Sequence, residues 1–126
     1  MAHTVLVCDN EEALRELVRD SLEDEDYDLV EARDGDEALV VARRTRPDLI
    51  ILDMMMPGRT GLEVLLELRR HPDPVLARTP VIMLTARTQS VDREAAAGAG
   101  ANRFVAKPFS PLELVAVVEE LLAARP

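Results

Sequence analysis

Apolar residues along the chain follow two alternating rhythms. Short unbroken runs, "TVLVC" (4–8), "DLIIL" (48–52) and "PVIML" (80–84), read as strands. The second is apolar almost throughout, as expected of a strand buried on both faces. "YDLVEA" (27–32) is a weaker strand and "RFVA" (103–106) a fifth. Between these runs the period changes to that of a helix. Leu14, Leu17, Val18, Ser21 and Leu22 form the stripe of an amphipathic helix, and "DGDEALVVARR" (34–44) reads as a turn and a second one. Leu62, Leu65, Leu66 and Arg69 mark a third. A short Ala-rich helix over Val91 to Ala97 should end near Gly98. The last helix has the clearest start, with Ser110 as N-cap, Pro111 at the first helical position and Glu113 closing a capping box. Leu114, Val118, Leu121 and Leu122 supply its inner face.

Five βα units in alternation predict an α/β fold, a doubly wound five-stranded parallel sheet with helices on both faces. Right-handed crossovers leave few topologies, and the flavodoxin-like (βα)5 order 2-1-3-4-5 is the common one at this length. The elements take up residues 1–126, so a single domain is expected, with no linker or repeat.

Composition narrows the function classes. Hydrophobic residues make up 48% and charged residues 31%, which argues for a packed core and against disorder. The formal charge of -9 repels nucleic acid, so no direct nucleic-acid partner is expected. No apolar run approaches a membrane span and "MAHTVLVC" lacks the layout of a signal peptide, which predicts a cytoplasmic protein without a membrane partner. Cys8 is the only cysteine and reads as a small core residue. His3 and His71 have no ligand-like spacing. The fifteen cationic side chains are fourteen arginines and Lys107. An ammonium and a guanidinium are not interchangeable, which singles out Lys107.

In a sheet of this kind ligands bind outside the carboxyl ends of the strands. The residues just past the apolar runs are Asp9, Asp53, Thr85 and Lys107. Two carboxylates, a hydroxyl and the sole lysine therefore converge on one rim. Such a set suits phosphoryl transfer to a carboxylate, with aspartate as nucleophile and a hard divalent ion among oxygen ligands. Lys107 would neutralise phosphoryl oxygens as a point charge, and Thr85 would donate to one of them.

With these positions in place, the sequence resembles the receiver domains of bacterial two-component response regulators. The resemblance covers nearly the whole chain and rests on "VCDNE", "PDLIILDMMMPGRTGLEVL", "PVIMLTA" and "FVAKPF", in order and properly spaced. It implies that Asp53 is the phosphoacceptor, that Asp9 belongs to the acidic metal-binding pair, and that the Met55 carbonyl ligates Mg²⁺. It also implies that Thr85 is the switch hydroxyl, Lys107 the phosphate-binding lysine, and the Lys107–Pro108 peptide cis. Phe104, three residues before the lysine, would be the switch aromatic, turning inward as Thr85 moves toward a phosphoryl group. The surface of the fourth helix, fifth strand and fifth helix would then change its preference for partners. The implied partners are a sensor histidine kinase or phosphotransfer protein upstream, and a protein target or a missing effector domain downstream. The only catalysis implied is assistance to its own phosphorylation and dephosphorylation. Met55 and Arg87, two residues after Asp53 and Thr85, would influence the phosphoryl lifetime. Departures from the acidic and basic pattern of many dimerising regulators, at Asn102, Arg103 and Val117, lead to the expectation of a monomer or weak dimer.

One position departs from the family pattern at the metal site. Most receivers carry a second acid where this chain has Asn10, whose amide ligates without charge. Three readings stay open: weak ligation by Asn10 supplemented by Glu11 or water; an N-cap role for Asn10 that leaves a poor Mg²⁺ site; and a pseudo-receiver, an interaction module independent of phosphorylation. Other functions fit less well. "DNEEA" would repel a flavin phosphate, no G-x-G-x-x-G or P-loop pattern follows a strand, and Asp53 has no acid two residues on, as a phosphatase of the aspartyl-phosphate type would want.

Overall fold

The structure, a computed structural model, describes residues 2–23, 26–86 and 90–124. Its elements run β1 (His3–Cys8), α1 (Glu12–Ser21), β2 (Tyr27–Ala32), α2 (Gly35–Thr45), β3 (Leu49–Asp53), α3 (Gly61–Arg69), α4 (Pro74–Arg78), β4 (Val81–Ala86), α5 (Ser90–Gly98), β5 (Arg103–Lys107) and α6 (Pro111–Ala124). The five strands form one parallel sheet in the order β2-β1-β3-β4-β5. Fold class and strand order are those the sequence predicts.

Side-chain alternation divides the core in two. Leu6, Cys8, Ile50, Leu52, Val81 and Met83 point to one face, where α2, α3 and Ala96 of α5 cover them. Val5, Val7, Leu49, Ile51, Ile82 and Leu84 point to the other, under α1 and α6. The central strand β3 is buried along its whole length, as its apolar run requires, while the edge strand β2 is only partly buried. Leu114, Val118 and Leu121 seat α6 as predicted.

The helix starts show how local chemistry fixes the loops. Asp34 accepts from the Glu37 N–H at 2.9 Å and caps α2. A reciprocal capping box forms at Thr60 and Glu63, fixing where the loop after β3 becomes α3. Ser110 accepts from the Glu113 N–H at 3.1 Å at the start of α6. Two helices depart from expectation. In α1 the buried residues are Arg15 and Val18, whereas Leu17, placed by the periodicity on the inner stripe, is 36% exposed. The short helix α4 is an addition, capped by Asp73 with Pro74 at its first turn.

At the amino ends of β4 and β5, Arg69 staples three segments together. Its guanidinium donates to the carbonyls of Gly100, Ala77 and Thr79 at 2.7–3.2 Å and to Asn102 Oδ1 at 3.0 Å. Gly100 adopts φ 107°, and a Cβ there would meet the Arg69 side chain.

Candidate functional site

β1, β3, β4 and β5 end side by side because their register is parallel and nearly level. Cys8 pairs with Leu52, Asp53 with Leu84 and Ala86 with Lys107. Asp9, Asp53, Thr85 and Lys107 therefore meet on one rim. The Lys107 ammonium lies 3.1 Å from Asp9 Oδ2 and 3.2 Å from Asp53 Oδ1, bridging residues 98 and 54 positions away in sequence. Asp9 and Asp53 are buried while Lys107 keeps about a quarter of its side chain exposed.

Each carboxylate is further fixed by backbone. Asp9 Oδ1 accepts from the Glu11 N–H at 2.9 Å, and Asp53 Oδ1 from the Met55 N–H at 3.2 Å. Asp9 is also held from behind: buried Arg15 donates to its main-chain carbonyl at 2.7 Å and to Glu31 at 3.2 Å. Arg15 was not among the predicted site residues. Its signal was a charge within the apolar stripe of α1, facing the carboxyl end of β1.

Burial, and then the neighbouring charge of Asp9, hold the Asp53 carboxyl above its ordinary pKa even though Lys107 pulls it down. Burial opposes the Lys107 charge, but hydrogen bonds and attraction from Asp9 and Asp53 outweigh it and raise the lysine. The carboxylates thus share one cation that cannot fully compensate both. Thr85 adds a second unmet requirement: its hydroxyl is buried and has no hydrogen-bond partner among the described residues.

The loop after β3 is held close to the site. Gly61 donates to the Met54 carbonyl at 3.1 Å, and a Cβ at Gly61 would strike the Asp53 carbonyl oxygen. Met54 and Met56 are buried, with Met56 Sδ 3.3 Å from Cys8 Sγ, whereas Met55 is exposed. Burial pushes the Cys8 thiol up to about 12, so it stays neutral and inert at pH 7.

The remaining predicted residues are dispersed around this centre. Asn10 and Glu11 are exposed. The N-cap position of α1 is Glu11, with no side-chain cap bond, which overturns the N-cap reading of Asn10. The helix begins one residue later than that reading needs, and Asp9 takes the Glu11 N–H instead. Phe104 is half-buried on the face shared with Met83. Lys107–Pro108 is cis, as the resemblance implies. Arg87 lies outside the described residues.

Known proteins resemble the chain along nearly its whole length. The family model for the response regulator receiver domain matches residues 5–119. The chain belongs to that family. This receiver chain is 42% identical over 118 residues to the transcriptional regulatory protein ResD of Bacillus subtilis, covering 94% of this chain and 47% of that protein. It is 39% identical over 122 residues to the DNA-binding response regulator MtrA of Mycolicibacterium smegmatis, covering 97% and 51%. The structure of chemotaxis protein CheY4 from Vibrio cholerae superposes with a TM-score of 0.88 at 32% identity, covering 96% of this receiver and 99% of that chain. The receiver spans about half the length of the curated relatives it matches.

The donor set fits a hard divalent cation. Asp9 and Asp53 converge as oxygen donors, the kind that Mg²⁺ accepts, and the Met55 carbonyl and the Asn10 amide would add neutral oxygens. Among the described residues no three His, Cys, Asp or Glu side chains cluster as metal ligands. No helix of the described residues is long and apolar enough to cross a membrane.

Proposed function

We propose that this receiver accepts a phosphoryl group on Asp53 from a histidine kinase or phosphotransfer protein. The Lys107 ammonium bridging Asp9 and Asp53 carries this reading, because it places a cation where phosphoryl oxygens would develop charge. Asp9, Asp53, the Met55 carbonyl and Asn10 would hold Mg²⁺, with Glu11 or water as a supplement. Mg²⁺ would neutralise and orient the phosphoryl oxygens during transfer.

In the transfer, a carboxylate oxygen of Asp53 attacks phosphorus as the bond from phosphorus to the donor nitrogen or oxygen breaks. The bonding electron pair leaves with the donor group. Burial and the Asp9 charge raise the energy of the ionised Asp53, and bonding to phosphorus relieves it. Lys107 then exchanges a carboxylate for phosphoryl oxygen, and the orphaned Thr85 hydroxyl gains an acceptor. Movement of Thr85 would let Phe104 turn inward and alter the α5–β5–α6 surface, where a protein target or an effector domain would read the change. The shared activity is signalling, not turnover of a free substrate.

Intact mass after incubation with a small-molecule phosphodonor tests the reading, with and without Mg²⁺ and beside Asp53→Asn. One phosphoryl adduct requiring both Mg²⁺ and Asp53 is expected. A folded protein that gains no adduct even at high Mg²⁺ is instead an interaction module that works without phosphate.

A further inference from the structure

On the α5 side of the sheet, the Arg93 guanidinium carbon lies 5.1 Å from the centroid of the Phe104 ring. Arg93 is exposed, and Phe104 is half-buried, with its inner side packed against the core beneath α3 and α5. The ring therefore sits between an apolar interior and the Arg93 cation.

The strand register says what lies next to it. Phe104 pairs with Met83, and one step toward the rim Ala106 pairs with Thr85. Side chains two apart in a strand share a face, so Phe104, Ala106, Met83 and Thr85 all stand beneath α5. Ala106 ends in a methyl, and the Thr85 hydroxyl beyond it lacks a partner among the described residues. The face between ring and rim thus carries no large side chain from β5.

We propose that Arg93 is a positioning residue: its cation–π contact holds the Phe104 ring in its present place and sets how readily the ring turns inward toward Thr85. This rests on the phosphoacceptor reading of the rim. A turn toward Thr85 would carry the ring along the strand and away from Arg93, so the contact stabilises the present ring position and not the other. A group that binds one state alone must shift their populations. At an exposed site such a contact is expected to weigh about 2- to 5-fold in that balance. Arg93 would thereby hold the unphosphorylated surface in its resting form, and a partner drawing the guanidinium away would favour the other.

NMR of the unphosphorylated protein tests this without any phosphotransfer. The chain has two phenylalanines, Phe104 and Phe109, so ring signals are readily separated. Arg93→Ala is expected to raise the population of a second Phe104 χ1 rotamer by about 2- to 5-fold and to move the Thr85 methyl resonance. Arg93→Lys, which keeps the charge, should restore part of both. In a Phe104→Leu background Arg93→Ala should leave the Thr85 methyl in place. An unchanged Phe104 rotamer balance in Arg93→Ala overturns the proposal, as does an equal Thr85 shift with Leu at 104. Because every sample is unphosphorylated, these outcomes are independent of whether Asp53 accepts a phosphoryl group.

Discussion

At the carboxyl ends of the strands one lysine is shared by two buried carboxylates, whereas at the amino ends of β4 and β5 a partly buried arginine has only neutral acceptors among the described residues. Arg69 has four protein oxygens within 3.2 Å, and burial, with no carboxylate to offset it, lowers its pKa. Every acceptor is already fixed by backbone or by Asn102, so the guanidinium fits a ready-made fork. Lys107, by contrast, has two anions to satisfy, and Asp53 remains above its ordinary pKa. The orphaned Thr85 hydroxyl stands at the same rim. One polar centre is saturated and holds segments together. The other is left with surplus negative charge and an unmet donor, which is what a phosphoryl group and a cation would resolve.

Removing each cation should therefore have opposite consequences. Lys107→Met leaves Asp9 and Asp53 facing each other and removes the charge that pulls the Asp53 pKa down. The rate of phosphoryl adduct formation should fall about 10²–10³-fold, as on loss of a preorganised charge-stabilising donor. Time-resolved intact mass gives the rate, and a loss below tenfold would mean the lysine is only a surface cation. Arg69→Leu should leave the rate per folded molecule unchanged but destabilise the fold by about 2 kcal/mol, because partly buried carbonyls lose their donor. Urea unfolding checks it. An unchanged midpoint would show that water serves those carbonyls equally well.

What the sequence disclosed follows the same division. Strand ends are legible because apolar runs stop abruptly, so Asp9, Asp53, Thr85 and Lys107 can be placed on one rim before any coordinates. The strand order follows from the βα alternation. Arg15 was missed because hydropathy scores a guanidinium as solvent-facing, yet its donors reach the Asp9 carbonyl and Glu31 and so permit burial at 8% exposure. Leu17 was assigned inward because the period alone cannot distinguish neighbouring faces of a ten-residue helix. The helix α4 is too short for a period, and only "DP" at 73–74 marked it. Arg69 lay on the predicted stripe of α3, but its partners come from distant loops that no local pattern reveals. Asn10 failed as an N-cap because one residue of helix phase decides the cap, and boundaries are read no better than that.

The surplus charge at the functional rim can also be increased. Asn10→Asp adds a carboxylate beside Asp9, where repulsion is relieved only by a cation. Two unit charges 4 Å apart in water interact by about 1 kcal/mol, doubled for a divalent ion, so Mg²⁺ should bind roughly 30-fold more tightly. The metal-free protein should lose a little stability. Calorimetric Mg²⁺ titration of both proteins measures the change. Equal affinities would place residue 10 outside the metal's reach and leave Asp9 and Asp53 as the charged ligands.

The smallest expected effect bears most directly on why the two centres differ. Thr85→Val replaces the buried, unpartnered hydroxyl with a methyl of similar size. A buried donor without an acceptor is destabilising, so the variant should be more stable by about 1 kcal/mol, raising Tm by roughly 3–5 °C. No comparable gain is available at Arg69, where each donor direction has an acceptor. A melting curve of the metal-free protein decides it. If Tm rises while phosphorylation no longer moves the Phe104 ring, the hydroxyl is retained for switching at the expense of stability. A fall in Tm would mean instead that the Thr85 hydroxyl is satisfied in the resting state. The contrast with Arg69 would then rest on charge alone.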